Sequence, residues 1–134
     1  MIAPLKIQVR FSDLDILGHV NNVTYLSYFE MARVYYFKEL VGTKWDWQRK
    51  GVVLVKNEVE YHIPILLYDE PSITLYMRKL GNKSFTLSYK IEVKGKIYTT
   101  GSSTLVCFDS TTQSSIEIPL EMRDAFNKID KDEI

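Results

Sequence analysis

The stretch Val23 to Leu40, VTYLSYFEMARVYYFKEL, decides the fold. It contains neither glycine nor proline, and Gly42 follows it as a suitable helix C-terminal residue. Asn21 and Asn22 stand where a side chain can cap its first turn. At 100° per residue, Tyr25, Leu26, Phe29, Ala32, Tyr36 and Leu40 form one broad apolar face. Val23, Tyr28, Met31, Val34, Tyr35 and Phe37 spread apolar groups around most of the rest, leaving Thr24, Ser27 and Lys38 as a narrow polar stripe. A helix of this kind, on the order of 27 Å long, is expected to be buried on more than one side.

Downstream of Gly51 the apolar period changes from helical to two. Val53, Val55, Val59 and Tyr61 alternate with Lys56, Glu58 and Glu60, and Ile73, Leu75 and Met77 alternate with Thr74, Tyr76 and Arg78. From Ser84 to Val93 the alternation is perfect. Gly81-Asn82 and Lys94-Gly95-Lys96 separate these runs as hairpin turns. Ile97 to Phe108 reads as a further strand with Gly101 at a bulge. Pro119 then opens a short amphipathic helix through Leu120, Met122, Phe126 and Ile129. Upstream, Leu5, Ile7, Val9 and Phe11 alternate with Lys6, Gln8 and Arg10 as a half-buried strand. The sum is an α+β domain over residues 1–134, an antiparallel curled sheet of about five strands wrapped around one long buried helix.

Composition narrows the function. The 134 residues are 46% hydrophobic and 25% charged, with 17 basic residues against 17 acidic ones. That balance argues against a nucleic-acid partner or an anionic membrane surface. One cysteine, Cys107, excludes an internal disulfide framework. Lys6 and Arg10 interrupt the first residues, which lack the apolar core of a signal peptide. No apolar run is long enough to span a membrane. A cytoplasmic protein is the expectation.

Polar residues concentrate between the first strand and the long helix, at Asp13, Asp15, Gly18, His19, Asn21 and Asn22. An EF-hand loop fails because Leu17 and Thr24 occupy ligand positions. Asp13, Asp15 and His19 are a loose ligand set with no second cluster behind them, so no metal site is expected. No nucleophile elbow, P-loop or dinucleotide fingerprint occurs. Cys107 lies in an apolar run and reads as a core residue, and His62 reads as an edge histidine. What remains is a carboxylate beside a helix N-terminus, where unpaired amides and the macrodipole favour negative charge. Such amides can hold the oxyanion of an acyl-transfer intermediate while an aspartate activates water or attacks the acyl carbon. The same residues also serve as ordinary caps.

The run from Phe11 to Asn22, continued by Tyr25-Leu26, Tyr28-Phe29-Glu30 and Ala32-Arg33, resembles the hotdog-fold acyl-CoA thioesterases, and most closely their 4-hydroxybenzoyl-CoA thioesterase-like branch. Their pattern D-x-D-x-x-G-H-V-N-N-x-x-Y-L-x-Y-x-E-x-A-R is kept at every fixed position. Weaker likeness extends through Tyr61-His62-Ile63-Pro64, Asp69, Gly81-Asn82-Lys83-Ser84 and Ile118-Pro119. The resemblance implies a hotdog fold, catalysis by Asp15, and polarisation of the thioester carbonyl by the Asn22 backbone amide. It implies that His19, Val20 and Asn21 shape the thioester wall, that Asp13 orders the loop, and that no metal or organic cofactor is used.

Tyr25 is expected at the substrate, and pocket depth depends on how Tyr25, Phe29, Trp45 and Trp47 pack, with core or interface packing as the other reading of Trp45 and Trp47. Arg78, Lys79, Lys83 and Ser84, around the Gly81-Asn82 turn, are candidates for the phosphates of coenzyme A. Glu30 and Arg33 form an i, i+3 pair, read as a structural charge pair, with a second catalytic role for Glu30 as the other reading. The expected function is an acyl-CoA thioester hydrolase. The alternatives on the same scaffold are an acyl-carrier-protein thioesterase and a non-catalytic acyl-thioester binding protein. One sheet cannot cover so apolar a helix, so a homodimer, or a homotetramer, is expected as the working unit.

Overall fold

The computed structural model describes residues 2–132; Met1, Glu133 and Ile134, at the ends of the expected 1–134 domain, lie outside the described residues. In chain order the elements are β1 (Leu5–Lys6), a 3-10 turn (Phe11–Asp13), α1 (Thr24–Val41), β2 (Gly51–Tyr61), β3 (Ser72–Leu80), β4 (Ser84–Val93), β5 (Lys96–Asp109), β6 (Ser114–Ser115) and α2 (Leu120–Phe126). One antiparallel sheet runs β1-β3-β4-β5-β2, with β6 pairing the far end of β5. The α+β expectation holds. Six strands stand among the described residues, where about five were expected, because the two-residue β6 carries no periodicity to read.

Asn21 braces the turn that leads into the helix; the N-cap residue itself, Val23, makes no side-chain cap bond. The Asn21 side chain accepts the Val23 N–H at 2.9 Å, and the Asn21 carbonyl accepts the Thr24 N–H at 2.9 Å. Gly42, at φ +80°, ends α1 by donating its N–H to the Lys38 carbonyl. Tyr25, Tyr28, Phe29, Ala32, Arg33, Tyr36 and Phe37 are buried against the sheet, but Val23, Met31 and Val34 are exposed. Within one chain the helix is therefore covered on one side, not all round.

Phe29 sits at the centre of this packing, its ring stacked on Tyr89 with centroids 4.1 Å apart and planes 4° from parallel. Gly101, the cross-strand partner of Tyr89, lies directly beneath. A Cβ at Gly101 would come within 2.6 Å of the Phe29 ring and 2.7 Å of the Glu58 carbonyl oxygen. Gly101 is thus a clearance for the helix and not the bulge expected from its sequence. The bulge in β5 is at Tyr98, between the pairs Ile91–Thr99 and Glu92–Ile97, and its carbonyl accepts both the His62 and Ile63 N–H groups. Lys94 and Gly95 form the β4–β5 turn with φ of +52° and +77°.

Other expectations shift by small amounts. Only Leu5–Lys6 pairs as a strand, with Ser72–Ile73. Ile7 and Val9 stay buried, while Phe11 enters the 3-10 turn and points out. Val55 is an extra residue between the pairs Leu54–Leu105 and Lys56–Thr104. That insertion slips the phase of β2, so Leu54 and Val52 pair with the buried Leu105 and Cys107, and Val53 falls on the other face. The last helix stops at Phe126, leaving Leu120 exposed and Ile129 buried beyond its end.

Candidate active site

The loop between β1 and α1 is ordered by Asp13. Its buried carboxylate accepts the Arg10 N–H at 3.0 Å, the Tyr28 hydroxyl at 2.8 Å and the Arg10 guanidinium at 3.2 Å. Burial pushes the Asp13 carboxyl upward, but the Arg10 amide, the Tyr28 hydroxyl and the Arg10 side chain outweigh it and hold the pKa below its usual value. Burial first, then the hydrogen bond to the Asp13 carboxylate and its charge, drive the Tyr28 phenol well above the ordinary range. The Asp13 carbonyl accepts the Asn21 N–H at 2.8 Å, tying the two ends of the loop together. With both carboxylate oxygens occupied, Asp13 is a clamp, as the family resemblance implied.

Asp15 is placed differently. Leu14 bridges Val20, and the Asp15 N–H donates to the His19 carbonyl at 2.9 Å, so residues 14–20 form a miniature hairpin. Gly18, at φ +78°, closes it by donating to the Asp15 carbonyl. The carboxylate is half-buried and accepts one protein donor, the Leu17 N–H at 2.9 Å. Burial raises the Tyr25 hydroxyl above its ordinary value, and the charges of Tyr61 and Asp15 add to the rise. His19 bridges Leu66, while Val20 is buried and donates its N–H to the Ile65 carbonyl, so both belong to the wall of this corner.

Asn22 lies exposed at the entry to α1. Its carbonyl accepts the Tyr61 hydroxyl at 2.8 Å, and its N–H has no partner among the described residues. Tyr61 packs edge-on against Tyr25, with centroids 4.9 Å apart at 83°. Asp15, His19, Val20, Asn21, Asn22 and Tyr25 are therefore assembled at one end of the sheet, around the start of α1.

The basic candidates are elsewhere. Ser84 pairs with Val106, whereas Tyr61, beside Asn22, pairs with Thr99. Seven residues of β5 separate those rows, roughly 23 Å at the usual strand rise. Exposed Lys79 and Lys83 and half-buried Ser84 sit at that far end. Arg78 is an extra residue in β3 and reaches Asp132 at 3.4 Å. Within one chain none of the four joins Asp15.

Glu30 and Arg33 are 3.9 Å apart, but unequally placed: the Arg33 side chain is 9% exposed and the Glu30 side chain 73%. Arg33 is held instead by the Tyr89 hydroxyl at 3.0 Å and Ser103 at 3.2 Å. Both line an apolar groove of about 640 Å³ along α1, with Val34, Phe37, Trp47 and Leu54. Trp47 also packs on Phe37, and Trp45 on Trp47. Cys107 is buried beside Met122, and burial pushes its thiol up to about 11. Among the described residues, no three His, Cys, Asp or Glu side chains group to hold a metal ion. None of the helices described is long and apolar enough to cross a membrane.

Two contributors were not singled out from sequence, Tyr28 and Tyr61. Both were read as apolar periodic residues and as part of the family resemblance, with no role assigned to their hydroxyls. A tyrosine where phenylalanine would pack equally well carries a hydroxyl that needs a partner when buried. That signal points to both.

The Thioesterase-like superfamily model matches residues 9–126. The long-chain acyl-CoA thioesterase FadM of Escherichia coli (strain K12) is 31% identical over 129 residues, 94% of this chain and 98% of FadM. The uncharacterized protein YsmA of Bacillus subtilis (strain 168) is 36% identical over 102 residues, 75% of this chain and 69% of YsmA. A thioesterase from Thermus thermophilus, solved in complex with coenzyme A and zinc, superposes with a TM-score of 0.82 at 34% identity, covering 92% of this chain and 90% of that one.

Proposed function

The chain belongs to the thioesterase-like superfamily, and on that footing we propose that it hydrolyses acyl-CoA thioesters at the corner formed by Asp15 and the start of α1. The observation that carries this reading is the contrast between two neighbouring groups: an Asn22 N–H with no partner among the described residues, and an Asp15 carboxylate with a single protein donor. The backbone N–H groups of Asp13, Leu14, Asp15, Leu17, Gly18, Val20, Asn21 and Val23 and the Asp13 carboxylate are, by contrast, all engaged.

In this reading the thioester carbonyl oxygen accepts the Asn22 N–H. The positive end of the α1 dipole supports the charge that develops there. Asp15 takes a proton from water as the water attacks, or attacks the acyl carbon itself and is released by water in a second step. Both routes pass through a tetrahedral centre with its oxyanion on the same amide. The bond to sulfur then breaks and the thiolate of coenzyme A leaves; the first route gives the carboxylic acid directly, and the second leaves an anhydride on Asp15 that water cleaves to the acid and free Asp15. No metal or organic cofactor enters either route. His19, Val20, Asn21 and Tyr25 line the thioester, and Lys79, Lys83 and Ser84 meet the nucleotide end across a subunit boundary. The working unit is a homodimer or an assembly of homodimers, located in the cytoplasm.

An initial-rate screen of acyl-CoA thioesters of graded chain length, with aromatic ones included, tests the proposal. Turnover of at least one, abolished by Asp15→Asn, is the expected result. A folded protein that turns over none of them refutes it and leaves carrier-protein thioesters or plain acyl-thioester binding.

A further inference from the structure

The Asn22 amide belongs to a short segment in which the surrounding backbone groups are fixed. The Asn21 N–H is held by the Asp13 carbonyl at 2.8 Å, and the Asn21 carbonyl by the Thr24 N–H at 2.9 Å. The Val23 N–H is held by the Asn21 side chain at 2.9 Å. These contacts come from the loop and helix that contain the amide, and they move with it. One contact comes from outside. The Tyr61 hydroxyl, at the end of β2 and 39 positions away in sequence, donates to the Asn22 carbonyl at 2.8 Å. Its ring is braced edge-on by Tyr25, whose own hydroxyl accepts the Ile65 N–H at 3.4 Å.

We propose that Tyr61 is a positioning residue for thioester hydrolysis: its hydroxyl, bonded to the Asn22 carbonyl, anchors the entry of α1 to the end of β2 and so fixes where Asn22, and the N–H it carries, stands relative to the sheet. This rests on the reading of Asn22 as the oxyanion donor. The physical basis is that an oxyanion donor is effective only when held in place before the charge develops. Placement errors of about 1 Å can cost on the order of a hundredfold in rate. The Asn22 N–H lies in the preceding peptide, whose Asn21 carbonyl is held by the Thr24 N–H, so Tyr61 acts on it through the shared Asn22 Cα: without the Tyr61 bond the entry of α1 loses this tie to the end of β2, and Asn22 can shift together with the N–H it carries. The Tyr61 hydroxyl does not touch Asp15, and the phenyl ring stays in place when the hydroxyl is removed.

The test is Tyr61→Phe alongside wild type and Asp15→Asn, with steady-state kinetics on whichever acyl-CoA thioester wild type turns over fastest. The expected result is a fall in kcat of about tenfold, KM within about twofold of wild type, and an unshifted acid limb of the pH–rate profile, because Asp15 is untouched. The amide resonances of Asn22 and Val23 are expected to shift or to exchange faster with solvent in Tyr61→Phe, with the remainder of α1 unchanged. Full activity in Tyr61→Phe, with Asp15→Asn inactive, overturns the role of Tyr61 and leaves the thioesterase reading standing. A rise in KM with kcat intact also overturns it. Wild type inactive on every thioester overturns the thioesterase reading, and the positioning role with it.

Discussion

The two aspartates of the loop are two residues apart, and their substitutions are expected to fail in opposite ways. In Asp13→Asn one oxygen remains to accept the Arg10 N–H and the Tyr28 hydroxyl, but both bonds lose their charge assistance. Such bonds are roughly twice as strong as neutral ones, so the loss is about 0.5–1 kcal/mol for each. The new amide nitrogen also replaces the oxygen that met the Arg10 guanidinium at 3.2 Å. The Arg10 side chain is 72% exposed and can swing into water, so that contact adds little after solvent screening. The total is about 1–2 kcal/mol, which for a chain of this length lowers Tm by roughly 3–10 °C. Asp15→Asn keeps an oxygen for the Leu17 N–H, weakening one exposed loop bond, and is expected to leave Tm within about 2 °C, while kcat falls by about 10²–10⁴. Calorimetry and initial rates on the two variants separate these effects. An Asp13→Asn protein that melts like wild type but is inactive, beside an Asp15→Asn protein that retains its rate, would refute the assignment of clamp and catalyst.

Gly101→Ala places a methyl group 2.6 Å from the Phe29 ring and 2.7 Å from a backbone carbonyl; overpacking of that kind is expected to cost about 1–3 kcal/mol, and a urea midpoint equal to wild type would show that α1 is not seated on that glycine. The Asp13 carboxyl is held below its ordinary value of 3.8, so its contribution is present above that pH and is lost as pH falls through the folded value. Wild-type Tm is therefore expected to drop more steeply than that of Asp13→Asn below about pH 4; parallel curves would contradict the clamp. Light scattering is expected to report a dimer or tetramer, and a fully active monomer would defeat the proposed subunit arrangement.

The helix and the meander were legible because each has a long, unbroken period, from Tyr25 to Leu40 and from Ser84 to Val93. The phase of β2 was not, because a single inserted residue at Val55 exchanges the faces of its neighbours without changing composition. The bulge was assigned to the glycine of β5, yet it sits at Tyr98, while Gly101 answers to a helix packed across the sheet. Asp15 and Asn22 could be picked out because a contiguous motif carries them. The Tyr61–Asn22 bond joins residues 39 positions apart, and only the folded sheet brings them together. Likewise, Lys79, Lys83 and Ser84 look like neighbours of the site until the strand register places them at the other end.

For the proposed dimer, the same register gives a testable site arrangement. The outer edge of β3 is occupied by β1 at Leu5–Lys6, and further along the Asp130 carbonyl and the Asp132 N–H bond the backbone of Met77. The edge of the sheet left open among the described residues is β2, with Leu54, Val55 and Tyr61 exposed along it. In the proposed dimer, a two-fold axis across that edge would run the two β2 strands antiparallel, so each Tyr61 end would meet the Gly51 end of its partner. The Leu80–Ser84 turn shares the Gly51 end of its own chain, since Ser84, Val106 and Val53 lie in one row. The partner's turn then stands about three strand spacings from this chain's β2, roughly 14 Å across the sheet, against roughly 23 Å along it within one chain. Each site would take Asp15 from one chain and the lysines from the other. Mixing Asp15→Asn chains with Lys79→Glu/Lys83→Glu chains, after dissociation and reassembly, then creates one intact site in each mixed dimer. Random pairing makes half the dimers mixed, so activity is expected to rise to about a quarter of wild type. Activity no higher than the mean of the two parents would show that each chain builds its site alone.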